Sequence, residues 1–229
     1  MKDAPVNAPA LAPRSRAAMV QLVPFGAPSE GRFAWLVEDH AVPVVALVAA
    51  IDGGAAQDAP GRAGTASLLA NLLDEGAGAL DDEAFHRALD EHAIELLAHA
   101  DRDSLRVQLR TLAKNLDRAG DLAALALNAP RFDPAPLERV RAQMTAGLRR
   151  QANDPDARAA RAWREAAYPG HPYAQPTEGA LDTLPAIARE DLVAARAASF
   201  ARDGLHVAIV GAISAERAAR LLDRLFGAW

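Results

Sequence analysis

Apolar and polar positions along this chain follow two periods. The clearest period of two runs from Ser104 to Leu112. Leu105, Val107 and Leu109 fall on one side there, and Arg106, Gln108 and Arg110 on the other, which predicts a half-buried strand. Ile94 to Ala100 precedes it across a D-R-D turn, and the two are read as a hairpin. Upstream, R-F-A-W-L-V-E at Arg32–Glu38 predicts another strand. His40-Ala-Val-Pro43 then turns the chain into a β-branched run ending at Asp52-Gly53-Gly54. Two such runs in succession predict an antiparallel pair, with Pro43 at a strand start or on an edge because it lacks an N–H for the ladder. His206 to Gly211 reads as a short buried strand.

The helical period is set by Gly64 to Gly76, G-T-A-S-L-L-A-N-L-L-D-E-G. Leu68, Leu69, Leu72 and Leu73 make one apolar stripe, opposite the small or weakly polar Thr65, Ala66, Ser67, Ala70 and Asn71. Asp81-Asp82-Glu83 opens a helix through about Asp90, its acids suited to the positive end of the helix dipole. Amphipathic helices follow at Leu112–Asn128, Pro134 to about Gln151, Pro155–Tyr168 and Ile187–Phe200. Ser214 caps a last one through Phe226. A Pro/Gly-rich loop links Tyr168 to Gly179. The order β-β-α-α-β-β-α-α-α-α-β-α predicts an α+β fold, a mostly antiparallel sheet with helices packed on one face. Residues 1–30 read as an extended Pro/Ala-rich arm, and 31–229 as a single domain.

Composition narrows the chemistry. The 229 residues are 51% hydrophobic, largely through alanine, and carry a net charge of -5, which argues against a general binder of nucleic acid or anionic membrane. No cysteine is present, so disulfides, thiolate metal sites and cysteine nucleophiles are excluded. The longest apolar run, Val42 to Ile51, is strand-sized and far short of the roughly 18 residues of a membrane span. The opening M-K-D-A-P-V-N-A-P lacks the apolar centre of a signal peptide and reads as a processed or trimmed start, which leans toward a bacterial periplasm over the cytoplasm.

The Gly64–Gly76 stretch resembles the signature helix of the insulinase/pitrilysin family of zinc peptidases, where H-x-x-E-H sits inside a run like G-x-A-H-x-x-E-H-M. In that family the histidines bind zinc and the glutamate activates water. Laid over this chain, the first histidine falls on Ser67, the glutamate on Ala70 and the second histidine on Asn71. The family's zinc-binding glutamate on a later helix falls in the window Gln143 to Gln151, with Gly147 the best match, and no acidic residue occurs in that window. Further landmarks keep the family's order: Asp74-Glu75-Gly76, Phe132-Asp133-Pro134, His171-Pro172-Tyr173 (with Ala174 in place of a glycine) and Leu205 to Gly211. The resemblance covers nearly all of residues 32–229.

It implies the first domain of an inactive subunit, like those of bacterial two-subunit enzymes and mitochondrial processing peptidase. Such a chain has no catalytic or metal-binding residue of its own. It pairs with an H-x-x-E-H-bearing homologue that holds the zinc, and the two enclose a peptide. The family's second domain, with its arginine and tyrosine that help hold substrate, is absent from these residues. A peptidase-derived structural scaffold and an enzyme with a different site are the alternatives.

Other residues suggest competing chemistry. On a helix, His92, Glu95 and His99 would share a face and offer a relocated metal site, whereas the family register makes Ile94–Ala100 a strand and leaves two surface histidines. His40, His171 and His206 invite a hydrolase with Ser67, but Ser67 lacks the G-x-S-x-G elbow and reads as a small residue filling a helix contact. Arg139, Arg141, Arg149, Arg150, Arg158, Arg161 and Arg164 form a basic region without the aromatic residues that stack on bases, so a solvated face is expected. Gly53-Gly54 and the pair Gly61 and Gly64 lack the dinucleotide fingerprint and read as turns.

Overall fold

The computed structural model describes residues 19–27, 31–200 and 204–229. One sheet organises them. Its strands are β1 (Gln21–Pro24), β2 (Phe33–Glu38), β3 (Val44–Asp52), β4 (Glu95–Ala100), β5 (Ser104–Leu112) and β6 (Leu205–Gly211), in the spatial order β1-β2-β6-β3-β5-β4. All neighbouring pairs are antiparallel except β2 with β6.

The pleat sorts side chains to two faces with a period of two. Ala34, Leu36, Val45, Leu47, Ala49, Ile51, Leu105, Val107, Leu109, Val207 and Ile209 are buried on one of them. The opposite face is open. One ladder row crosses it as Leu22, Trp35, Ala208, Val48, Gln108 and Leu97, all exposed. The ring of Trp35 stacks on His206 there, centroids 6.2 Å apart.

Among the described residues seven α-helices accompany the sheet: α1 (Thr65–Ala70), α2 (Asp82–Glu91), α3 (Leu116–Asn128), α4 (Pro134–Gln151), α5 (Pro155–Ala167), α6 (Arg189–Ser199) and α7 (Ala215–Phe226). Leu116, Leu122 and Leu127 of α3 and Leu221, Leu222 and Leu225 of α7 are buried. Burying one such leucine contributes about 1.5–3 kcal/mol. Helix starts follow the side chains named from the sequence: the Asp81 carboxylate accepts from the Ala84 N–H at 2.9 Å, and the Ser214 hydroxyl from the Arg217 N–H at 3.4 Å. The α+β class with its mostly antiparallel sheet and helices on one face is as expected.

Two expectations need correcting. Of the arm assigned to residues 1–30, residues 1–18 and 28–30 lie outside the described ones, but Gln21–Pro24 is an edge strand rather than arm. Val23 and Phe25 turn into the core, Phe25 packs on Phe226 with centroids 6.2 Å apart, and the Gly26 N–H donates to Asp223 at 2.7 Å. A four-residue strand ending on a proline is too short to show a period.

The signature helix is also shorter than its leucine pattern, ending at Ala70 and giving way to turns through Asp74. The small, weakly polar side is enclosed as well, with every residue from Thr65 to Ala70 buried. Sequence periodicity registers the leucine stripe, but the cover on the other side comes from residues more than 100 positions away.

Candidate functional site

α1 is held at its start by a side chain that the sequence reading overlooked. Asp58 accepts hydrogen bonds from the backbone N–H groups of Gly64 at 2.7 Å and Ala66 at 2.9 Å, through its two oxygens. Gly64 itself has φ 98°, and a Cβ there would lie 2.9 Å from the Gly179 Cα, so glycine is required for both conformation and space. Burial outweighs the stabilising backbone donors and pushes the Asp58 carboxyl up to about 6.

The four positions over which the resemblance lays the family's chemistry do not form a donor set. Ser67 is buried and its hydroxyl donates to the Thr177 carbonyl at 2.7 Å. Ala70 is buried and has no polar atom on its side chain. Asn71, exposed, turns its amide back to donate to the Ser67 carbonyl at 2.7 Å. Gly147 on α4 contributes no side chain, and a Cβ built there would meet only the Arg150 guanidinium at 3.8 Å. A small cavity of about 190 Å³ beside them is lined by Ala70, Asn71, Asp74 and Glu75, by Leu97 and Ala98 of β4, and by Val140 and Gln143 of α4.

The loop that meets Ser67 is fastened at several points. Arg102, in the β4–β5 turn, donates to the carbonyls of Tyr173 at 2.7 Å and Gln175 at 3.0 Å, and its guanidinium lies 5.4 Å from the Tyr173 ring centroid. The Tyr173 hydroxyl donates to Asp103 at 2.6 Å, and this bond to a carboxylate raises the phenol above its usual range. Farther on, the Thr183 hydroxyl donates to the Ala63 carbonyl at 2.7 Å. The H-P-Y segment therefore works as a clamp that seats Thr177 on α1.

One group of metal-capable side chains comes together among the described residues: Asp74, Glu75 and His86, whose nearest ligand atoms lie within 4.8 Å of one another. Sequence spacing does not reveal it, because His86 comes from α2. A cation already occupies one of its acids, Glu75, while Asp74 lies 3.9 Å from His86. Arg139 of α4 donates to both Glu75 oxygens, at 3.1 and 2.5 Å, and lies 3.3 Å from Asp82. A bound divalent ion would have to displace this fork. Burial raises the Asp74 carboxyl, with neighbouring Glu75 adding to the shift and His86 and Arg139 opposing it.

The relocated site at His92, Glu95 and His99 does not assemble. His92 ends α2 with its Nδ1 3.0 Å from the Ala88 carbonyl, while Glu95 on β4 pairs with Arg110 at 2.5 Å. Glu95 and His99 are four residues apart on a strand, about 13 Å at 3.3 Å per residue. The hydrolase partners are equally dispersed. His40 bonds Glu38, His206 stacks on Trp35, and the His171 Nδ1 accepts from the Tyr173 N–H. Among the basic residues, Arg141 bonds Glu138 and the Ile187 carbonyl, and Arg161 bonds Glu165.

Comparisons with known proteins agree with this architecture. A non-peptidase homologue, YmxG, of Helicobacter pylori (strain ATCC 700392 / 26695) is 26% identical over 186 residues, covering 81% of this chain and 43% of that protein. The crystal structure of a peptidase M16 inactive domain from Pseudomonas fluorescens superposes with a TM-score of 0.84 at 27% identity, over 91% of this chain and 50% of that one. The periplasmic protease PqqL of Escherichia coli shares the fold, with a TM-score of 0.77 at 16% identity, over 91% of this chain and 24% of that one. This chain thus spans half or less of each relative's length. Among the described residues no helix is long and apolar enough to cross a membrane. The model of the insulinase family, peptidase family M16, matches residues 34–181, and the chain belongs to that family.

Proposed function

We propose that this chain is a non-catalytic domain of a two-part zinc peptidase, pairing with a zinc-bearing homologue to enclose and bind peptide. The observation that carries the reading is the state of the four family positions. Ser67 spends its hydroxyl on Thr177, Asn71 bonds back to its own helix, and Ala70 and Gly147 offer no donor. A zinc peptidase needs ligands with lone pairs converging on one point and a carboxylate to activate water. Zinc, if it serves this assembly, is therefore supplied by the partner.

The fold survives the loss because α1 is held by Leu68, Leu69 and the Asp58 cap rather than by a metal. The names of the H. pylori and P. fluorescens relatives, non-peptidase homologue and inactive domain, support the non-catalytic part. For the peptide-binding part, β4 stands at the edge of the described sheet beside the small cavity, where an extended peptide can add a strand.

The test is reconstitution. The chain is mixed with an H-x-x-E-H-bearing homologue from the same genome and hydrolysis of a peptide library is followed. Turnover that depends on this chain, and falls when Leu97→Pro breaks the β4 edge, is expected. Hydrolysis unchanged by its presence contradicts the proposal and leaves a structural role.

A further inference from the structure

A second and much larger groove, of about 890 Å³, lies between the C-terminal part of α4, helix α5 and the segment Pro176–Leu181. Its size falls within the range of small-ligand sites. α5 forms its outer wall in an unusual way: none of its residues is buried, although alanines recur along it and Trp163 is 63% exposed. The helix therefore stands away from the core.

Charge gives the groove a sign. Arg158, Arg161 and Arg164 recur every three residues along α5 and line it. Arg161 is matched by Glu165, and on the far lip Glu178 is bonded at 2.5 Å by the neutral Gln151 and keeps its charge, so the three arginines of the lining outnumber its two glutamates by one. Arg158 and Arg164 have no acidic partner among the described residues, and the Arg164 Nε is buried without a hydrogen-bond acceptor. A guanidinium nitrogen withdrawn from water and left unbonded is costly, so an acceptor arriving in the groove gains from it.

The groove and the small cavity are both walled by α4. Gln143 lines the small cavity and Gln151 the large one, both on α4, about 12 Å apart at 1.5 Å per residue. Gly147 lies midway and puts no side chain between them. Thr177, which takes the Ser67 hydrogen bond, is itself part of the groove wall.

We propose that this groove binds an extended peptide segment carrying an acidic side chain or a free C-terminal carboxylate, held by Arg158 and Arg164. The inference rests on the peptide-binding part of the function proposed above and names the substrate class.

Fluorescence anisotropy of the purified chain with a labelled glutamate-containing decapeptide, and with its lysine counterpart, tests it. Binding of the acidic peptide alone is expected, weakening with salt and falling on the order of tenfold or more in Arg158→Gln/Arg164→Gln. Arg149→Gln/Arg150→Gln removes two exposed charges that do not line the groove and should leave affinity unchanged. Ala160→Trp, at an exposed lining position, should block the groove without altering charge and so tests the site even if the arginine variant folds poorly. Equal binding of both peptides, or equal loss in the two double variants, overturns the proposal as unspecific attraction. No binding of the acidic peptide overturns it too. Binding abolished by Leu97→Pro but unaffected by the groove variants also overturns it, while upholding the sheet edge as a peptide site.

Discussion

The Ser67 hydroxyl donates to the Thr177 carbonyl at 2.7 Å, across 110 residues of sequence. The resemblance to the zinc peptidases lays a zinc ligand over the position of Ser67. Here it fastens a loop, and that loop covers the side of α1 that the sequence pattern left small and weakly polar.

This exchange predicts unequal tolerance within one helix. Ser67→His inserts an imidazole at a 6% exposed position against the Thr177 loop and should cost about 1–3 kcal/mol through overpacking. Asn71→His, at an exposed position, should cost well under about 1 kcal/mol. Urea denaturation of the two variants measures the difference. Equal midpoints would mean that the loop does not fill the ligand position.

The Arg139–Glu75 fork joins α4 to the end of the signature segment. Glu75 is buried and Arg139 is nearly half exposed, so Arg139→Ala strands an acid whose partner was only partly desolvated. The expected loss is about 2 kcal/mol, below the range for a fully buried pair because water reaches the arginine. Arg139→Ala/Glu75→Gln should recover most of it. Chemical denaturation of single and double variants tests the coupling.

Asp58 gives α1 a pH dependence. Its carboxyl titrates at about 6, above the usual carboxylate value near 3.9 of an unfolded chain. Between these values the folded state binds more protons than the unfolded one, so this group's contribution to stability falls as pH rises from about 4 to about 6. Carbon-detected NMR titration of the Asp58 carboxyl should show the raised midpoint, and Asp58→Asn should flatten that segment of the stability curve. A midpoint below 4 would show that the backbone donors outweigh burial.

Most of the sheet was legible from its residues, and the reasons are local. The alternation in Leu105–Arg110 and the capping groups Asp81 and Ser214 act within a few positions of themselves. What escaped depends on distant partners. Val23 and Phe25 enter the core only because α7 arrives with Phe226, and α1 is enclosed only because Thr177 and Leu184 return to it. At the candidate site the family frame pointed to Ser67, Ala70, Asn71 and Gly147. It could not show that Arg139 crosses to Glu75, nor that α5 stands away from the core and opens the groove.

Zinc content tests the central claim most directly. The purified chain is dialysed against a weak chelator and its metal measured by mass spectrometry, alone and with Ser67→Ala as a control. The account predicts zinc far below one per chain in both. One tightly held zinc per chain would contradict it, and Asp74, Glu75 and His86 would then be the first residues to replace.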